Sequence, residues 1–325
     1  YGDDTIAWYE NDAVDLFPET VITDGADGAV SVHAADLDRD GDMDVLSASM
    51  RDDTIAWHEN NGIGEAFESH LLTSEAQRAT CVYAADIDSD WDMDVIAASS
   101  GDDTITWFEN DGSGSFQRHS VSTTSPGVHD VYSADLDADG DVDIIAALRD
   151  SDEIVWYEND GDGGFASHVI SSSARAARSV NAADLDSDGD LDVLSASYMD
   201  DKVAWYENQG GGVFRTHVVT YSATRPESVE AADLNADGRV DIAVASYRDD
   251  QILWYKNKGS GQFTAQNVAS DVNGPRYVHA AAISTGARSD LVSASSVDDT
   301  VAWYENSTPG DVTGPRVVEI HLDED

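Results

Sequence analysis

The chain has 325 residues, 41% of them hydrophobic, and a formal net charge of -48 at pH 7 from 65 acidic against 17 basic side chains. That apolar content, with regular aromatics, can bury a substantial core and excludes intrinsic disorder despite the acidity. So acidic a surface repels nucleic acid and anionic membranes, no apolar run is long enough to insert in a bilayer, and the single Cys81 excludes an internal disulfide and a thiolate metal cluster.

The chain opens at Tyr1 in the middle of a repeat, as expected of a processed or trimmed piece, so the lack of a visible secretory signal decides nothing. Tyr1–Thr23 carries two predicted strands, the first around Trp8 in "AWYEN". A full unit follows. "SVHAAD" (31–36) is a small apolar strand running into an acidic loop, and "MDVLSAS" (43–49) leaves that loop. "TIAWHEN" (54–60) has the period-two alternation of a strand, and "FESHLL" (67–72) comes after a glycine-bearing turn. No segment has a helical apolar stripe.

The unit then recurs. Trp8, Trp57, Trp107, Trp156, Trp205, Trp254 and Trp303 are spaced by 49 or 50 residues. Phe17, Phe67, Phe116, Phe165, Phe214 and Phe263 keep step, and His70, His119, His168 and His217 each follow a phenylalanine by three. Four strands per repeat of this length define a propeller blade. The prediction is an all-β, seven-bladed β-propeller of four-stranded antiparallel blades over residues 1–307, with 1–23 a partial first blade and six repeats of about 49 residues after it. Residues 308–325 form a tail, which either supplies a closing strand through "RVVEIHL" (316–322) or begins a linker.

Each loop between the first and second strands is dense in carboxylates. In "DLDRDGDMD", Asp36, Asp38, Asp40 and Asp44 occupy loop positions 1, 3, 5 and 9, Gly41 allows the sharp turn at position 6, and Asp42 offers its backbone carbonyl. This is the spacing with which an EF-hand-type loop surrounds calcium with oxygen ligands, although Ser47 stands where the glutamate at position 12 would be. The pattern returns at Asp86, Asp88, Asp90, Asp92 and Asp94, at Asp135, Asp137, Asp139, Asp141 and Asp143, at Asp184, Asp186, Asp188, Asp190 and Asp192, and in altered form at Asp233, Asn235, Asp237, Arg239 and Asp241. About five calcium sites are therefore expected. In the second loop Trp91 replaces the glycine, so distortion or weak binding is expected there. The sixth counterpart, residues 282–290, keeps only Asp290 and should hold no metal. The "EN" pair after each tryptophan, Glu59 and Asn60 in the first full repeat, reads as caps or groups behind the ligands.

The stretches "ADLDRDGDMDVLSAS", "ADLDADGDVDIIAA" and "ADLDSDGDLDVLSAS", together with the "AWYEN" strands, resemble the FG-GAP/VCBS-like repeat family of calcium-binding propellers, whose best-known relative is the integrin α-subunit head. The resemblance covers nearly the whole chain. It implies an extracellular or cell-surface protein, and it admits adhesion modules, lectin-like binding modules and the scaffolds of some polysaccharide lyases. Fold alone does not choose among these.

At the opposite end of the predicted blades, basic and aromatic residues gather without strict repetition: Arg51, Arg78, Arg149, Arg178, Arg225, Arg248, Arg276, His129, Tyr198, Tyr247 and Tyr277. One reading pairs these arginines with the adjacent "DD" dipeptides. The other makes them a ligand face for an anionic glycan or an acidic protein segment, because guanidinium forks suit carboxylate and sulfate. The expected function is a monomeric, non-catalytic, calcium-stabilised recognition module. A purely structural repeat domain is one alternative. The other is a polysaccharide lyase with His129 or His279 as base, Tyr132 or Tyr277 as acid, and Arg149, Arg178 or Arg276 as carboxylate clamp.

Overall fold

The computed structural model describes residues 4–10, 19–62, 67–283, 288–306 and, as backbone, 316–321. It divides into two compact units, Tyr1–Val169 and Ile170–Asp325. The first begins with a two-stranded sheet, β1 (Ile6–Tyr9) and β2 (Glu19–Thr23). Three four-stranded sheets follow. They are β3 (Ala29–Ala35), β4 (Asp44–Ser49), β5 (Thr54–Asn60) and β6 (Phe67–Thr73); then β7 (Ala79–Ala85), β8 (Asp94–Ser99), β9 (Thr104–Asn110) and β10 (Phe116–Ser122); then β11 (Val128–Ala134), β12 (Asp143–Leu148), β13 (Glu153–Asn159) and β14 (Phe165–Ser171).

The second unit repeats the plan three times. Its sheets are β15 (Ala177–Ala183), β16 (Asp192–Ser197), β17 (Lys202–Asn208) and β18 (Phe214–Thr220); then β19 (Pro226–Ala232), β20 (Asp241–Ser246), β21 (Gln251–Asn257) and β22 (Phe263–Ser270); then β23 (Pro275–Ala281), β24 (Asp290–Ser295), β25 (Thr300–Glu305) and β26 (Arg316–His321). Every sheet is a meander of sequential antiparallel neighbours. Ala35 opposite Asp44, Val45 opposite His58 and Asn60 opposite Phe67 set the register of the first.

These are propeller blades, but the described residues hold six, not the expected seven. The period reports how often a strand pair returns, not whether each pair finds inner partners. β1 and β2 pair only with each other, and β26 completes the sixth blade by pairing with β25 from Thr300 opposite His321 to Glu305 opposite Arg316.

Packing explains the residue choice in each strand. The second strands β8, β12, β16 and β20 are buried at every position, because both faces of the sheet are covered. Within the first unit one core joins Leu46, Ile55 and Trp57 to Val82, Val95 and Phe108 of the next sheet, and another joins Ile96, Ile105 and Trp107 to Val131, Ile144 and Tyr157. The second unit has the same arrangement around Leu194, Trp205 and Ile242, and around Ala243, Ile252 and Leu291. Trp57 stacks on His70 of its own blade at 4.6 Å and meets Phe116 of the next edge-on at 5.8 Å. Gly114 turns beside that indole with φ +73°, where a Cβ would strike the Trp57 ring.

Each first strand also carries a bulge at its second residue. The register slips between Ala79 and Cys81, Val128 and Asp130, Ala177 and Ser179, Pro226 and Ser228, and Pro275 and Tyr277. A bulge re-aims the extra side chain. The residues so placed in the second unit are Arg178, Glu227 and Arg276.

Candidate functional site

The acidic loops close the hairpins between first and second strands, and their aspartates divide into two kinds. Asp44, Asp94, Asp143, Asp192 and Asp241 are fully buried; the first four carboxylates are each held by two backbone N–H groups, and Asp241 by the Asn257 amide and the Asn235 side chain. In the second blade Ile87 donates to one oxygen of Asp94 at 3.0 Å, and Asn110 donates to the other at 2.7 Å. Asp290 likewise accepts from the Asn306 amide at 2.7 Å, which explains why it survives in a loop that has lost its other acids. Burial pushes the Asp94 and Asp143 carboxyls up to about 6 and that of Asp192 to about 7, against the lowering pull of those amides.

The other loop acids face one another, and in the third and fourth blades the buried Asp143 and Asp192 join them. Carboxylate oxygens of Asp36, Asp38 and Asp40 lie within 4.8 Å of each other, as do those of Asp86, Asp88 and Asp90, of Asp135, Asp137 and Asp143, and of Asp184, Asp186 and Asp192. Burial first, and then the charges of neighbouring aspartates and of the facing glutamates, raises Asp38, Asp88, Asp137 and Asp186. The facing glutamates are Glu59, Glu109, Glu158 and Glu207, the acidic members of the "EN" pairs. Oδ1 of Asp36 and Oδ1 of Asp186 are buried with no hydrogen-bond donor. An all-oxygen set of mutually repelling acceptors, some lacking any donor, fits a hard cation of the calcium or magnesium type and not zinc.

Asp42, Asp92, Asp141 and Asp190 direct their amides to the position-5 carboxylate, at 2.8, 2.8, 2.9 and 3.0 Å. The Asp92 side chain also reaches across to Arg39 of the first blade at 2.5 Å. The distortion expected from Trp91 does not occur. Its amide donates to Asp86 at 3.0 Å as Gly41 donates to Asp36 at 3.1 Å, with Trp91 at φ 77° and its side chain 84% exposed. The loop tolerates the strain because the indole meets solvent.

At the other end of the blades the "DD" dipeptides are committed to the backbone. In four of them the second aspartate accepts from the amide that enters the next blade: Asp53 from Arg78 at 2.7 Å, Asp103 from Gly127 at 2.8 Å, Asp201 from Arg225 at 2.9 Å and Asp250 from Gly274 at 3.0 Å. Two candidate arginines are nonetheless held by nearby acids. Arg149 grips Asp150 through two bonds of 2.6 and 3.0 Å, and Arg51 lies 3.4 Å from Asp27 and 3.8 Å from Asp4. Arg248 sits on the turn after β20, where its amide donates to the Thr224 carbonyl. His129 lies on β11 in the first unit, and Tyr277 is 56% exposed on β23.

Five of the candidates converge in the second unit. Arg276 Nη1 lies 3.2 Å and Arg178 Nε 3.8 Å from the buried carboxylate of Glu227. The guanidinium groups of Arg178 and Arg225 lie over the Tyr198 ring at 4.8 and 5.1 Å, and Arg225 also donates to the Tyr198 hydroxyl at 3.1 Å. Arg276 covers Tyr247 at 4.9 Å and bonds Ser296 at 2.8 Å. Burial pushes the Glu227 carboxyl up, while Arg178, Arg276 and Arg225 pull it down. Two guanidinium groups thus flank one buried carboxylate, and Arg225 stands beside Arg178 on the same Tyr198 ring. Glu227 is the residue that sequence reasoning missed. Its signal was available, since Arg178, Glu227 and Arg276 recur at intervals of 49. Three positions further along these strands, Glu230 lies 3.5 Å from the Asn181 amide and 3.3 Å from His279, which it raises.

Among solved structures the chain is similar to virginiamycin B lyase from Staphylococcus aureus, at 12% identity and a TM-score of 0.62 over 92% of this chain and 85% of that one. It is also similar to a protein from Lactobacillus plantarum, at 14% identity and a TM-score of 0.64 over 97% of this chain and 94% of that one. A third is a Bacteroides uniformis protein proposed to be a 6-phosphogluconolactonase, at 14% identity and a TM-score of 0.61 over 98% of this chain and 97% of that one. At such identities the likeness is one of fold. Comparison with curated proteins finds no match. The FG-GAP-like repeat pattern matches six overlapping stretches, 1–47, 36–97, 86–146, 135–195, 184–244 and 233–283, and the chain belongs to that family.

Proposed function

We propose that this chain is a calcium-stabilised recognition module, monomeric and acting outside the cell, that binds an acidic ligand, either a uronate-bearing or sulfated glycan or an acidic protein segment. The observation that carries the reading is the pairing of Arg178 and Arg276 with Glu227, with Arg225 beside Arg178 on Tyr198 and Arg276 on Tyr247. Tyrosine faces hold the guanidinium groups in place before any ligand arrives, so less side-chain entropy is lost on binding. Calcium in the acidic loops would neutralise the clustered carboxylates and tie first strand to second. Asp36, Asp38 and Asp40, Asp86, Asp88 and Asp90, Asp135, Asp137 and Asp143, and Asp184, Asp186 and Asp192 would hold it.

Titration of polyuronate, sulfated glycan and polyglutamate into the calcium-loaded protein tests this reading. The double variant Arg178→Ala/Arg276→Ala should lose at least tenfold in affinity, on the order expected for charged contacts at a partly buried site. Unchanged affinity would reject this face.

A lyase reading has one observation of its own. His279 is oriented by Glu230 at 3.3 Å, and Tyr277 and Arg276 lie on the same strand. Glu230 raises His279, however, which favours the protonated imidazolium over a free base. New ultraviolet absorbance on incubation with polyuronates, abolished in His279→Ala, would establish catalysis.

A further inference from the structure

The loop Asp233–Asp241 departs from its predecessors at three places that act together. Where the earlier loops have aspartate at positions 3 and 7, it has Asn235 and Arg239. Where the other blades read "EN" after the tryptophan, the fifth reads "KN", with Lys256 replacing glutamate. All three exchanges move charge in the same direction. The loops at 86–94, 135–143 and 184–192 each gather five aspartates and a facing glutamate, a formal charge of -6. The fifth gathers three aspartates, one arginine and one lysine, a formal charge of -1.

The geometry matches the count. The Lys256 ammonium lies 3.1 Å from Oδ1 of Asn235 and 3.1 Å from Oδ2 of Asp237, and Arg239 approaches the same Asp237 oxygen at 3.6 Å. Asn235 turns its amide nitrogen onto Asp241 at 2.6 Å, so at this position the loop presents a donor to its own acid. The loop otherwise keeps its form, with Asp233 accepting from the Asp237 amide at 3.1 Å and from Gly238 at 2.8 Å. A divalent ion here would meet one excess negative charge and an ammonium already bonded to two of its oxygens. Its own bonds to oxygen would need to be about 2.3–2.6 Å long, which leaves no room for the lysine head.

We infer that the fifth loop takes up no divalent ion, because Lys256 is a built-in counter-ion that closes it, and that the chain binds four calcium ions. This rests on the reading of calcium in the other four loops. The ions then fall unevenly. All three blades of Tyr1–Val169 carry an acidic loop, whereas in Ile170–Asp325 only the blade with Asp184–Asp192 does. The blades that bring Glu227 and Arg276 to the anion site are fastened without metal.

Native mass spectrometry of the protein in excess calcium chloride should find four ions on the wild type and five on Asn235→Asp/Arg239→Asp/Lys256→Glu. Five on the wild type, or four on the folded triple variant, would overturn the inference. No ion on either would bring down the calcium reading and this inference with it. Hydrogen exchange supplies a measurement that needs no variant. Chelation should cut protection at least roughly tenfold around Asp135–Asp143 and leave that around Asp233–Asp241 nearly unchanged. Equal loss in both loops would overturn the inference.

Discussion

Asn110 donates its side-chain N–H to the carbonyl of Leu37 on the preceding blade, 2.7 Å away, and to its own hairpin at Met93, 2.9 Å away. Asn159 does the same to Ile87 at 2.9 Å, and Asn257 to Leu185 at 2.7 Å. Asn110→Ala would strand the buried Leu37 carbonyl and the partly buried one of Met93 and should cost about 3 kcal/mol, seen as a fall in Tm of roughly 5 °C. Asn60→Ala is the control. Its side chain is half-exposed and donates to Met43 of its own blade, so its Tm should fall less than half as far in a thermal melt.

The two kinds of loop aspartate should separate under chelation. Asp94 satisfies the buried amides of Ile87 and Asn110 at 3.0 and 2.7 Å, so Asp94→Ala should destabilise the protein by about 3 kcal/mol with or without calcium. Asp137 faces other carboxylates. Asp137→Ala should remove part of the stabilisation that calcium confers, and should leave the chelated protein as stable as the wild type or more so. Denaturant melts in calcium and in chelator distinguish these outcomes.

His58 makes the first full blade sensitive to acid. It is buried between Ser47 and Ser69, bonded at 3.0 and 2.8 Å, and burial, followed by nearby His70, lowers it from 6.5 to about 4. The unfolded chain therefore takes up a proton in the window where the folded one does not. Stability is full above pH 6.5 and is lost as pH falls from there toward 4, by about 3 kcal/mol in all. In the third to sixth blades a tyrosine holds this position, and Tyr206 and Tyr304 bond Ser195 and Ser293 at 3.1 and 2.9 Å. His58→Tyr should keep the serine contact and flatten the stability profile between pH 4 and 6.5, measured by melts across that range.

Trp91 stores removable strain. Trp91→Gly should stabilise the protein by about 1 kcal/mol, the cost of a bulky residue at positive φ less the entropy that glycine brings to the unfolded chain. Calcium stoichiometry should not change. A lower Tm, or the loss of one ion by native mass spectrometry, would contradict the undistorted loop.

Glu227 competes with any acidic ligand for Arg178 and Arg276. Glu227→Gln should raise affinity for polyuronate several-fold in calorimetric titration while lowering stability, since the arginines lose a buried partner. Weakened binding would mean that Glu227 positions the guanidinium groups and does not occupy them.

Much of this was legible in the chain because the repeats keep register. The tryptophans marked every third strand, and the aspartates marked five of the six hairpins between first and second strands. What escaped is information carried by relations between repeats. Arg178 and Arg276 stood out as cations, yet their common partner Glu227 stays hidden until residues 49 apart are set side by side. The "DD" pairs looked like acids awaiting arginines, but tight turns left them facing backbone amides. Lys256 is one letter in a motif otherwise read as uniform, and its meaning depends on Asn235 and Asp237 lying across the hairpin.

The clasps between blades point in opposite directions along the chain. Asp53 fastens forward to the strand entering the next blade, whereas Asn110 fastens back to the blade before. Both halves of a joint are thus encoded within one period, and an in-frame duplication of that period arrives with its couplings already cut to fit. Lengthening such a gene by unequal crossover demands no newly invented interface.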